Sequence, residues 1–488
     1  MAHILVTGAT GFLGRYLVAE LLAAGHTVRA LVRRPERATA LAHAGVELAP
    51  GDITDEDALG RAMTGVEGVI HLAAIYDFGI DPAEMERVNV GGTRAVLAAA
   101  ARLGLGRIVY CGSDTSLGDT GGRVADERQV RAGCAYRPGR SAYEATKHRA
   151  HRLVEEHMAA GAPIVNAILS TLYGPGDKSA IGDLITRFAR GRLPWLLDPA
   201  AGYTFTHVAD AAVALRLLYE EGLPGTSYLV SGTPATFGQL FEHLARLSGL
   251  RPPRPLPPRL RRWLPRLIPL LAPILGKTRP ALRELLAMAQ GATLFYSGDR
   301  LRRELGWRPR SLDEGLAETL AHLEAEEQAA AQRSLRRSRP LLIGLALFDL
   351  ALGGTAALLP NYYIDLLHPA WLTLHPQSPT YWLARTGMLW LFFAAIEGIA
   401  AIRPARWPLL VLIVGVLRLM DVPADLLYFA HADDLGAFGR FGLLFAPAFN
   451  LCVGLYLLLV GLRGVRSGLS TTTLACLKRP STPAASQA

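Results

Sequence analysis

The feature that most constrains this chain is a glycine-rich turn near its start, directly after a short apolar strand. Ile4–Val6 has the apolar, β-branched character of a buried strand. The chain then reads TGATGFLG, in which Gly8 permits a tight turn, Gly11 a close approach to a pyrophosphate and Gly14 close helix–strand packing. Because a helix N-terminus attracts negative charge, this pattern predicts a phosphate-binding turn. An ordinary glycine-rich turn is the alternative, and later features of the chain favour the first interpretation.

The chain continues as the helix and second strand of a βαβ unit. Residues 16–24 have the apolar spacing of a helix, and residues 27–32 form a second apolar strand. This strand ends at Arg33 and Arg34, where a fold that prefers NAD usually has an acid for the ribose 2′-hydroxyl. Two arginines suit a 2′-phosphate, so we predict NADP as the cofactor, with NAD as the alternative. The other interpretation of Arg33 and Arg34 is that they are solvated loop cations. Asp52, after the third strand, is predicted to meet the adenine amine.

Further motifs follow in order up to residue 309. They are Gly51-Asp52, His71-Leu72-Ala73-Ala74, Val88–Thr93, Tyr143–Lys147, Tyr173–Asp177, Thr206–Asp210 and Leu305–Pro309. With the glycine-rich turn, they resemble the extended short-chain dehydrogenase/reductase family, also called the NAD-dependent epimerase/dehydratase family. Within it, the chain is most similar to dihydroflavonol-reductase-like proteins, 3β-hydroxysteroid dehydrogenases and hopanoid-associated sugar epimerases. The resemblance implies an α/β fold, a Rossmann-type doubly wound parallel sheet with a smaller substrate subdomain.

Tyr143 and Lys147 are the predicted acid/base pair. Their spacing of four puts both side chains on one face of a helix, where an ammonium can stabilise a phenolate. A free tyrosine has a pKa of about 10, so it acts as a base at neutral pH only near positive charge. Such a tyrosine exchanges a proton with a substrate oxygen as hydride moves to or from the cofactor. Ser113 is the predicted hydroxyl that binds the reacting oxygen, with Thr115 and Ser116 as alternatives.

The resemblance also implies which residues contact the cofactor. They are Gly8, Thr10, Gly11, Phe12, Leu13, Gly14, Arg33, Arg34, Asp52, Ile53, Leu72, Ala73, Ala74, Asn89, Tyr143, Lys147 and Tyr173. Substrate contacts are predicted for Tyr76, Ser113, Tyr173 and His207, with simple packing as the alternative. Before Tyr173 the family usually has arginine or asparagine followed by proline. Here residues 167–171 read AILST, which favours a less polar pocket than a nucleotide-sugar needs. No metal site is predicted, and the four scattered cysteines have neither metal nor disulfide spacing.

Four long apolar segments lie in the C-terminal third of the chain. Residues 341–359, 382–402, 407–430 and 441–462 each approach the roughly 20 residues that span a bilayer. We predict an all-α four-helix transmembrane bundle, with a buried soluble helical core as the alternative. The predicted domains are a Rossmann domain at 1–168, a substrate-binding subdomain at 169–328, a basic linker at 329–340, four transmembrane helices at 341–463 and a disordered tail at 464–488.

Positive charge flanks these segments asymmetrically. Arginines precede the first segment, lie between the second and third, and follow the fourth: Arg333, Arg336, Arg337, Arg339, Arg403, Arg406, Arg463 and Arg466. Residues 361–380 and 431–439 contain no lysine or arginine. The positive-inside rule then predicts a multi-pass protein of the cell (inner) membrane, with the catalytic domain and both termini cytoplasmic. Ionisable residues near the segments are functional candidates, or else form a structural salt bridge: Asp349, Glu397, Arg418 and Asp421.

Residues 251–290 are predicted to form a basic amphipathic lid of the substrate subdomain. Residues 251–279 contain seven arginines, one lysine and no acid, interleaved with apolar residues. Such a stretch suits an anionic membrane surface, and its prolines and apolar clusters favour lipid over nucleic acid.

Together these features predict a membrane-anchored NAD(P)-dependent oxidoreductase that acts on a hydrophobic secondary alcohol or ketone. An isoprenoid, a sterol-like compound or a lipid-linked sugar fits this description. A nucleotide-sugar epimerase or dehydratase that recycles its cofactor is the first alternative, and a nucleotide sensor that regulates the membrane bundle is the second. The predicted partners are a small hydrophobic substrate and the lipid bilayer, with no nucleic acid. The sequence leaves the oligomeric state open, with a homodimer among the options.

Overall fold

The computed structural model describes residues 1–76, 79–128, 141–257, 259–261, 263, 291–359, 380–431 and 437–477. The chain divides into two compact units, Met1–His322 and Leu323–Ala488. The first unit contains the parallel sheet with its helices, and the described part of the second is mainly helical.

A seven-stranded parallel sheet forms the centre of the first unit. Its strands are β1 (His3–Thr7), β2 (Thr27–Val32), β3 (Glu47–Pro50), β4 (Gly68–His71), β5 (Arg107–Ser113), β6 (Ile164–Leu169) and β10 (Thr226–Val230). The spatial order is β3-β2-β1-β4-β5-β6-β10, and every neighbouring pair is parallel. β1 and β4 are apolar and almost wholly buried, as strands covered on both faces should be. The predicted Rossmann-type sheet is confirmed.

Helices cover both faces of this sheet, and others belong to the rest of the first unit. In chain order the helices of this unit are α1 (Phe12–Ala23), α2 (Thr39–His43), α3 (Glu56–Met63), α4 (Pro82–Glu86), α5 (Thr93–Arg102), α6 (Ala142–Ala159), α7 (Ala180–Ala189), α8 (Val208–Glu220), α9 (Phe237–Ser248) and α10 (Asp299–Leu305). One hydrophobic cluster joins α1 and α8 to β1, and another joins α3, α5 and α6 to the opposite face. These two clusters bury the apolar residues that hold the layers together.

Shorter strands form two further sheets. β9 (Gly202–His207) pairs with β7 (Thr171–Tyr173), β11 (Thr233–Thr236) and β13 (Thr293–Leu294), and β8 (Trp195–Leu196) pairs with β12 (Arg254–Pro255). The predicted boundary at residue 168 is wrong for the sheet layer, because α8 and β10 follow that residue and belong to it. Parallel strands need long crossovers, so a strand distant in sequence completes the sheet edge.

The second unit contains the helices predicted from the apolar segments. They are α12 (Arg339–Leu358), α13 (Thr380–Ile402), α14 (Pro408–His431) and α15 (Ala437–Leu477), and α11 (Leu312–Arg337) contains the boundary between the units. Within the described residues, two helical stretches are long and apolar enough to cross a bilayer, Leu312–Leu358 and Phe445–Gly468. The helices are therefore present, whereas a bundle of four membrane-spanning helices stays a prediction.

Three predicted features near these helices need correction or fall outside the described residues. The predicted linker at 329–340 is helical, because α11 extends to Arg337 and α12 begins at Arg339. The predicted disordered tail, residues 464–488, begins too early, because α15 continues to Leu477. The rest of that tail, residues 478–488, lies outside the described range. Most of the predicted lid, residues 264–290, also lies outside it.

Glycines allow the backbones of α14 and α15 to approach closely. A Cβ atom on Gly415 would lie 2.4 Å from the backbone nitrogen of Leu458, and one on Gly454 would lie 3.0 Å from the Gly415 carbonyl oxygen. Side chains with a Cβ cannot occupy that space without moving a helix backbone. Small residues at such contacts replace hydrophobic driving force with close van der Waals packing.

Replacing Gly415 by alanine should therefore destabilise the second unit by about 1–3 kcal/mol, the usual cost of overpacking. The matched control is Gly398→Ala, because a Cβ at Gly398 meets nothing within 4 Å and alanine favours a helix. Thermal unfolding of the full chain in detergent measures both variants. Equal unfolding temperatures for the two would contradict this packing.

Candidate active site

The glycine-rich turn connects β1 to α1 through very close backbone contacts. Gly8 has a φ of +77°, and a Cβ there would lie 2.8 Å from the backbone nitrogen of Ala73, after β4. A Cβ on Gly14 would lie 2.2 Å from the Gly8 carbonyl oxygen. Gly11 is the N-cap of α1, so no side chain caps the helix, and its first turn contains no acid. These residues fit a phosphate group, because the first N–H groups of α1 have no side-chain acceptor.

A buried hydrogen-bond chain ties the ends of β1 and β4 together. Thr7 Oγ1 lies 2.7 Å from His71 Nδ1 and accepts a hydrogen bond from the Ala73 nitrogen at 3.3 Å. His71 Nε2 lies 3.2 Å from Thr93 Oγ1 on α5. Burial, with the nearby charge of Lys147, lowers the pKa of His71 to about 3. The imidazole is therefore neutral and serves to fix the backbone that follows β4.

The predicted adenosine end of the site lies beyond β2 and β3. Asp52 Oδ1 accepts hydrogen bonds from the Thr54 nitrogen at 2.9 Å and its hydroxyl at 2.8 Å. Burial alone would raise the pKa of Asp52, but these bonds and the charges of Arg33 and Arg87 outweigh it, so the pKa is lowered. Arg33 and Arg34 are both exposed at the end of β2. They are free to meet a ribose substituent, and that role stays a prediction.

Asn89 connects the segment after β4 to α6. Its Oδ1 accepts from the Ile75 nitrogen at 2.7 Å, and its Nδ2 donates to the Ile75 carbonyl at 3.2 Å and to Thr146 Oγ1 at 3.1 Å. Thr146 lies between the two predicted catalytic residues of α6. Asn89 thereby fixes the distance between the predicted cofactor-binding backbone and that helix.

Ser113, Tyr143 and Lys147 come together where β5 ends and α6 begins. Ser141 caps α6, because its hydroxyl accepts from the Glu144 nitrogen at 3.0 Å. One turn apart, Tyr143 and Lys147 are 9% and 6% exposed. Lys147 Nζ donates to the Cys111 carbonyl in β5 at 3.1 Å, and Ser113 is within hydrogen-bonding reach of Tyr143. The structure thus assembles the three residues predicted to be catalytic.

Burial sets the protonation states of Tyr143 and Lys147. Burial raises the pKa of Tyr143 well above its ordinary value, and neighbouring Tyr76 adds to this, although the Ser113 hydrogen bond opposes it. Burial also lowers the pKa of Lys147 to about 8. At neutral pH the phenol is therefore protonated and the lysine is mostly an ammonium. This state is ready to donate a proton to a substrate oxygen.

Asp114 is a site residue that the sequence analysis missed. It directly follows Ser113, is 2% exposed, and its Oδ2 has no hydrogen-bond partner among the described residues. Ser113 Oγ lies 3.5 Å from Asp114 Oδ1 and 2.9 Å from Thr115 Oγ1. Burial raises the pKa of Asp114 to about 8, against the opposing hydrogen bonds from the Thr115 nitrogen and Ser113. The sequence feature that could have indicated Asp114 is its position directly after the predicted catalytic serine.

The residues predicted to contact substrate fall into two groups. Tyr76 is 42% exposed, and its ring meets that of Tyr143 edge to face with centroids 4.9 Å apart, so it lies at the site. Tyr173 and His207 are 1% and 2% exposed and pack against each other at 5.5 Å. His207 Nδ1 also caps α8 by accepting from the Ala209 nitrogen at 3.3 Å. A binding role for Tyr173 and His207 stays a prediction.

The fold and site define a Rossmann-type nucleotide-binding enzyme with a serine–tyrosine–lysine centre, and the comparisons agree. Residues 4–231 match the NAD dependent epimerase/dehydratase family. The chain is 33% identical over 333 residues to "Sterol demethylase protein B" of Methylococcus capsulatus, covering 65% of this chain and 97% of that protein. It therefore belongs to the NAD-dependent epimerase/dehydratase family, the extended short-chain dehydrogenases/reductases.

Two further proteins support this assignment. The chain is 31% identical to a "4-hydroxy-2-methyl-3-oxo-4-farnesyl-3,4-dihydroquinoline-1-oxide ketoreductase" from Stigmatella aurantiaca, covering 62% of this chain and 91% of the relative. It is also similar to the crystal structure of gox2253, with 31% identity and a TM-score of 0.57, covering 67% of this chain and 99% of that one.

Alanine at Gly14 should weaken binding of the nicotinamide cofactor by roughly tenfold or more, because its Cβ would displace the Gly8 carbonyl at a cost of about 1–3 kcal/mol. Gly60→Ala is the matched control, since a Cβ at Gly60 meets nothing within 4 Å. Fluorescence titration with NADPH and with NADH measures the affinities. Unchanged binding by Gly14→Ala would contradict the assignment of this turn to the cofactor.

Replacing Asp114 by asparagine should change how stability depends on pH. The folded protein holds a proton on Asp114 up to about pH 8, whereas an unfolded aspartate releases its proton near pH 4. Wild type therefore loses stability relative to Asp114→Asn as pH rises from about 4 to about 8, and no further above that. Urea unfolding of both proteins across this pH range measures the difference in their free energies of unfolding. A difference that stays constant with pH would contradict the burial of Asp114.

Proposed function

We propose that this enzyme is a membrane-anchored, NADP-preferring reductase that converts a hydrophobic ketone to a secondary alcohol. The observation that carries the proposal is the burial of Tyr143 beside Ser113, which raises the pKa of the phenol and so favours its protonated form. A reductase needs a proton donor in its resting state, whereas alcohol oxidation needs a base. Isoprenoids, sterol-like compounds and lipid-linked sugars are the substrate classes that fit.

The residues divide the work as follows. The Ser113 hydroxyl donates a hydrogen bond to the substrate carbonyl oxygen and orients it, and the Tyr143 hydroxyl then donates its proton to that oxygen. Lys147, an ammonium at neutral pH, stabilises the resulting phenolate from one helical turn away. Asn89 holds α6 in place against the segment after β4. When bound, the nicotinamide supplies the hydride.

Three observations support the hydrophobic substrate and the membrane location. The relatives reported above are named for a sterol and for a farnesylated quinoline, both of them apolar compounds. Two described helical stretches, Leu312–Leu358 and Phe445–Gly468, are long and apolar enough to cross a bilayer. The arginine-rich flanks of the apolar segments favour a cytoplasmic location for both termini and the catalytic unit, where NADPH is available.

An epimerase that recycles its cofactor is the second candidate, favoured by the family that the chain matches. In an epimerase Tyr143 would return its proton within one cycle, so no net oxidation of reduced cofactor would occur. Net turnover of NADPH therefore separates the two reactions.

Tyr143→Phe should lower NADPH oxidation by about a hundredfold to ten-thousandfold, the usual worth of a general acid. The variant should still bind the cofactor, because only the hydroxyl is removed. The assay uses detergent-solubilised protein with lipid extract from its own source as substrate. Tyr110→Phe is the matched control. Tyr110 is buried beside Lys147, whose Nζ lies 5.4 Å from the centroid of the Tyr110 ring. The Tyr110 hydroxyl has no hydrogen-bond partner among the described residues, so its removal should leave the reaction unaffected.

Several outcomes of that assay would contradict the proposal. Tightly bound cofactor with no net oxidation would favour the epimerase. Oxidation that persists in Tyr143→Phe would exclude Tyr143 as the proton donor.

The double variant Arg33→Ala/Arg34→Ala should bind NADPH roughly tenfold more weakly or worse, because it loses charge-assisted hydrogen bonds to a 2′-phosphate. Affinity for NADH should be unchanged. The control is Arg303→Ala, because Arg303 is an exposed arginine on α10. Equal losses for both cofactors would contradict 2′-phosphate recognition.

A further inference from the structure

Three ionisable side chains from three helices meet inside the second unit. Asp349 on α12, Glu397 on α13 and Arg418 on α14 are 4%, 3% and 6% exposed. Arg418 Nη2 donates to Asp349 Oδ2 at 2.7 Å and to Glu397 Oε1 at 2.6 Å, and Arg418 Nε donates to Glu397 Oε1 at 3.0 Å. The helices around them are strongly apolar, so this cluster lies in a low-dielectric environment.

The charges of this cluster do not balance if all three groups are ionised. One guanidinium would face two carboxylates, which leaves a buried negative charge. Asp421, which lies on the same helix with Nη1 of Arg418 4.0 Å from its Oδ2, would add another negative charge. Burying a charge without a partner is very costly, and carboxyl groups avoid this cost by taking up a proton.

One oxygen of the cluster indicates where that proton lies. Glu397 Oε2 is buried and has no hydrogen-bond donor among the described residues. A carboxylate oxygen only accepts hydrogen bonds, whereas a protonated carboxyl also donates one. The Asp349 and Glu397 carboxyl groups bind the same guanidinium nitrogen and are close enough to share a hydrogen bond. A single proton between the two carboxyl groups would leave the triad of Asp349, Glu397 and Arg418 neutral.

We propose that Asp349 and Glu397, joined through Arg418, form a proton-binding site in the helical unit. One proton is bound by the two carboxyl groups, and the arginine balances the remaining negative charge. When the proton binds, an O–H bond forms on one carboxyl group, and when it leaves, that bond breaks and the proton passes to water.

A row of polar groups on α14 gives this proton a route. Asp421 and Asp425 follow Arg418 at three and seven residues, spacings that lie on one face of a helix. Asp421 has a side chain that is 36% exposed. Asp425 Oδ2 accepts from Asn450 Nδ2 on α15 at 3.1 Å. These are the other ionisable groups that face the cluster from the described parts of the packed helices. Both aspartates are half-buried, so these carboxyl groups are more exposed than those of the triad.

Dicyclohexylcarbodiimide tests the site, because this apolar reagent adds to protonated carboxyl groups in apolar surroundings and leaves ionised ones unmodified. The full chain in lipid nanodiscs is treated over a range from mildly acidic to alkaline pH, and modified residues are located by mass spectrometry. We expect modification of Glu397 or Asp349 that falls to background as pH rises. Glu36→Gln, which removes an exposed carboxyl, should change nothing.

Single substitutions separate a shared proton from a merely structural ion pair. In Asp349→Asn, Arg418 keeps its short hydrogen bonds to Glu397 and no longer faces a second buried carboxylate, so Glu397 should become ionised and escape modification. In Glu397→Gln, Asp349 should escape for the same reason. Both variants keep one carboxylate for Arg418 and should fold, which thermal unfolding checks. Modification of Glu397 that persists unchanged in Asp349→Asn would overturn the proposal, as would protection of wild type by Na⁺ at constant pH.

Infrared spectroscopy keeps the test decisive if the reagent does not reach the cluster. A protonated carboxyl has a carbonyl stretching band distinct from that of a carboxylate. Wild type should show this band at neutral pH, and each single variant should lose it. Absence of both the band and the modification in wild type would overturn the proposal.

Discussion

The packing of α6 on the carboxyl end of β5 is the constraint on which the candidate site depends. Lys147 Nζ donates a hydrogen bond to the Cys111 carbonyl oxygen, so the helix is fixed to the strand that ends at Ser113. The same packing buries Tyr143, and burial disfavours the charged form of each group. The phenol is therefore neutral while the lysine remains largely charged at neutral pH. The reduction that we propose uses this resting state, because it needs a proton donor.

The sequence predicted those parts of the site that depend on local structure. The glycine-rich turn and the spacing of Tyr143 and Lys147 are local patterns with a direct physical reason, and Ser113 follows a strand that is evident from its apolar residues. Asp114 was missed because its significance comes from burial by distant segments rather than from its neighbours in sequence. The boundary at residue 168 failed for a similar reason, since β10 joins the sheet edge beside β6 after a long crossover.

The helical unit shows the same contrast. Long apolar segments predicted its helices closely, because length and composition are enough to identify them. Arg418 and Asp421 are three residues apart, a spacing at which two side chains can meet on one helix. In the structure Arg418 instead makes its short contacts with Asp349 and Glu397, which come from other helices. Which helices pack together is decided by tertiary contacts such as those of Gly415, and these cannot be inferred from one segment alone.

The proposed reduction depends most on the protonation state of Tyr143, which a direct titration tests. The ζ-carbon of tyrosine, labelled with carbon-13, changes its chemical shift when the phenol ionises, and Tyr143→Phe identifies the resonance by its disappearance. We predict that Tyr143 in the cofactor-free enzyme remains a neutral phenol from neutral pH to well above the ordinary tyrosine pKa of about 10. Ionisation near neutral pH would contradict it and would make the resting tyrosine a base.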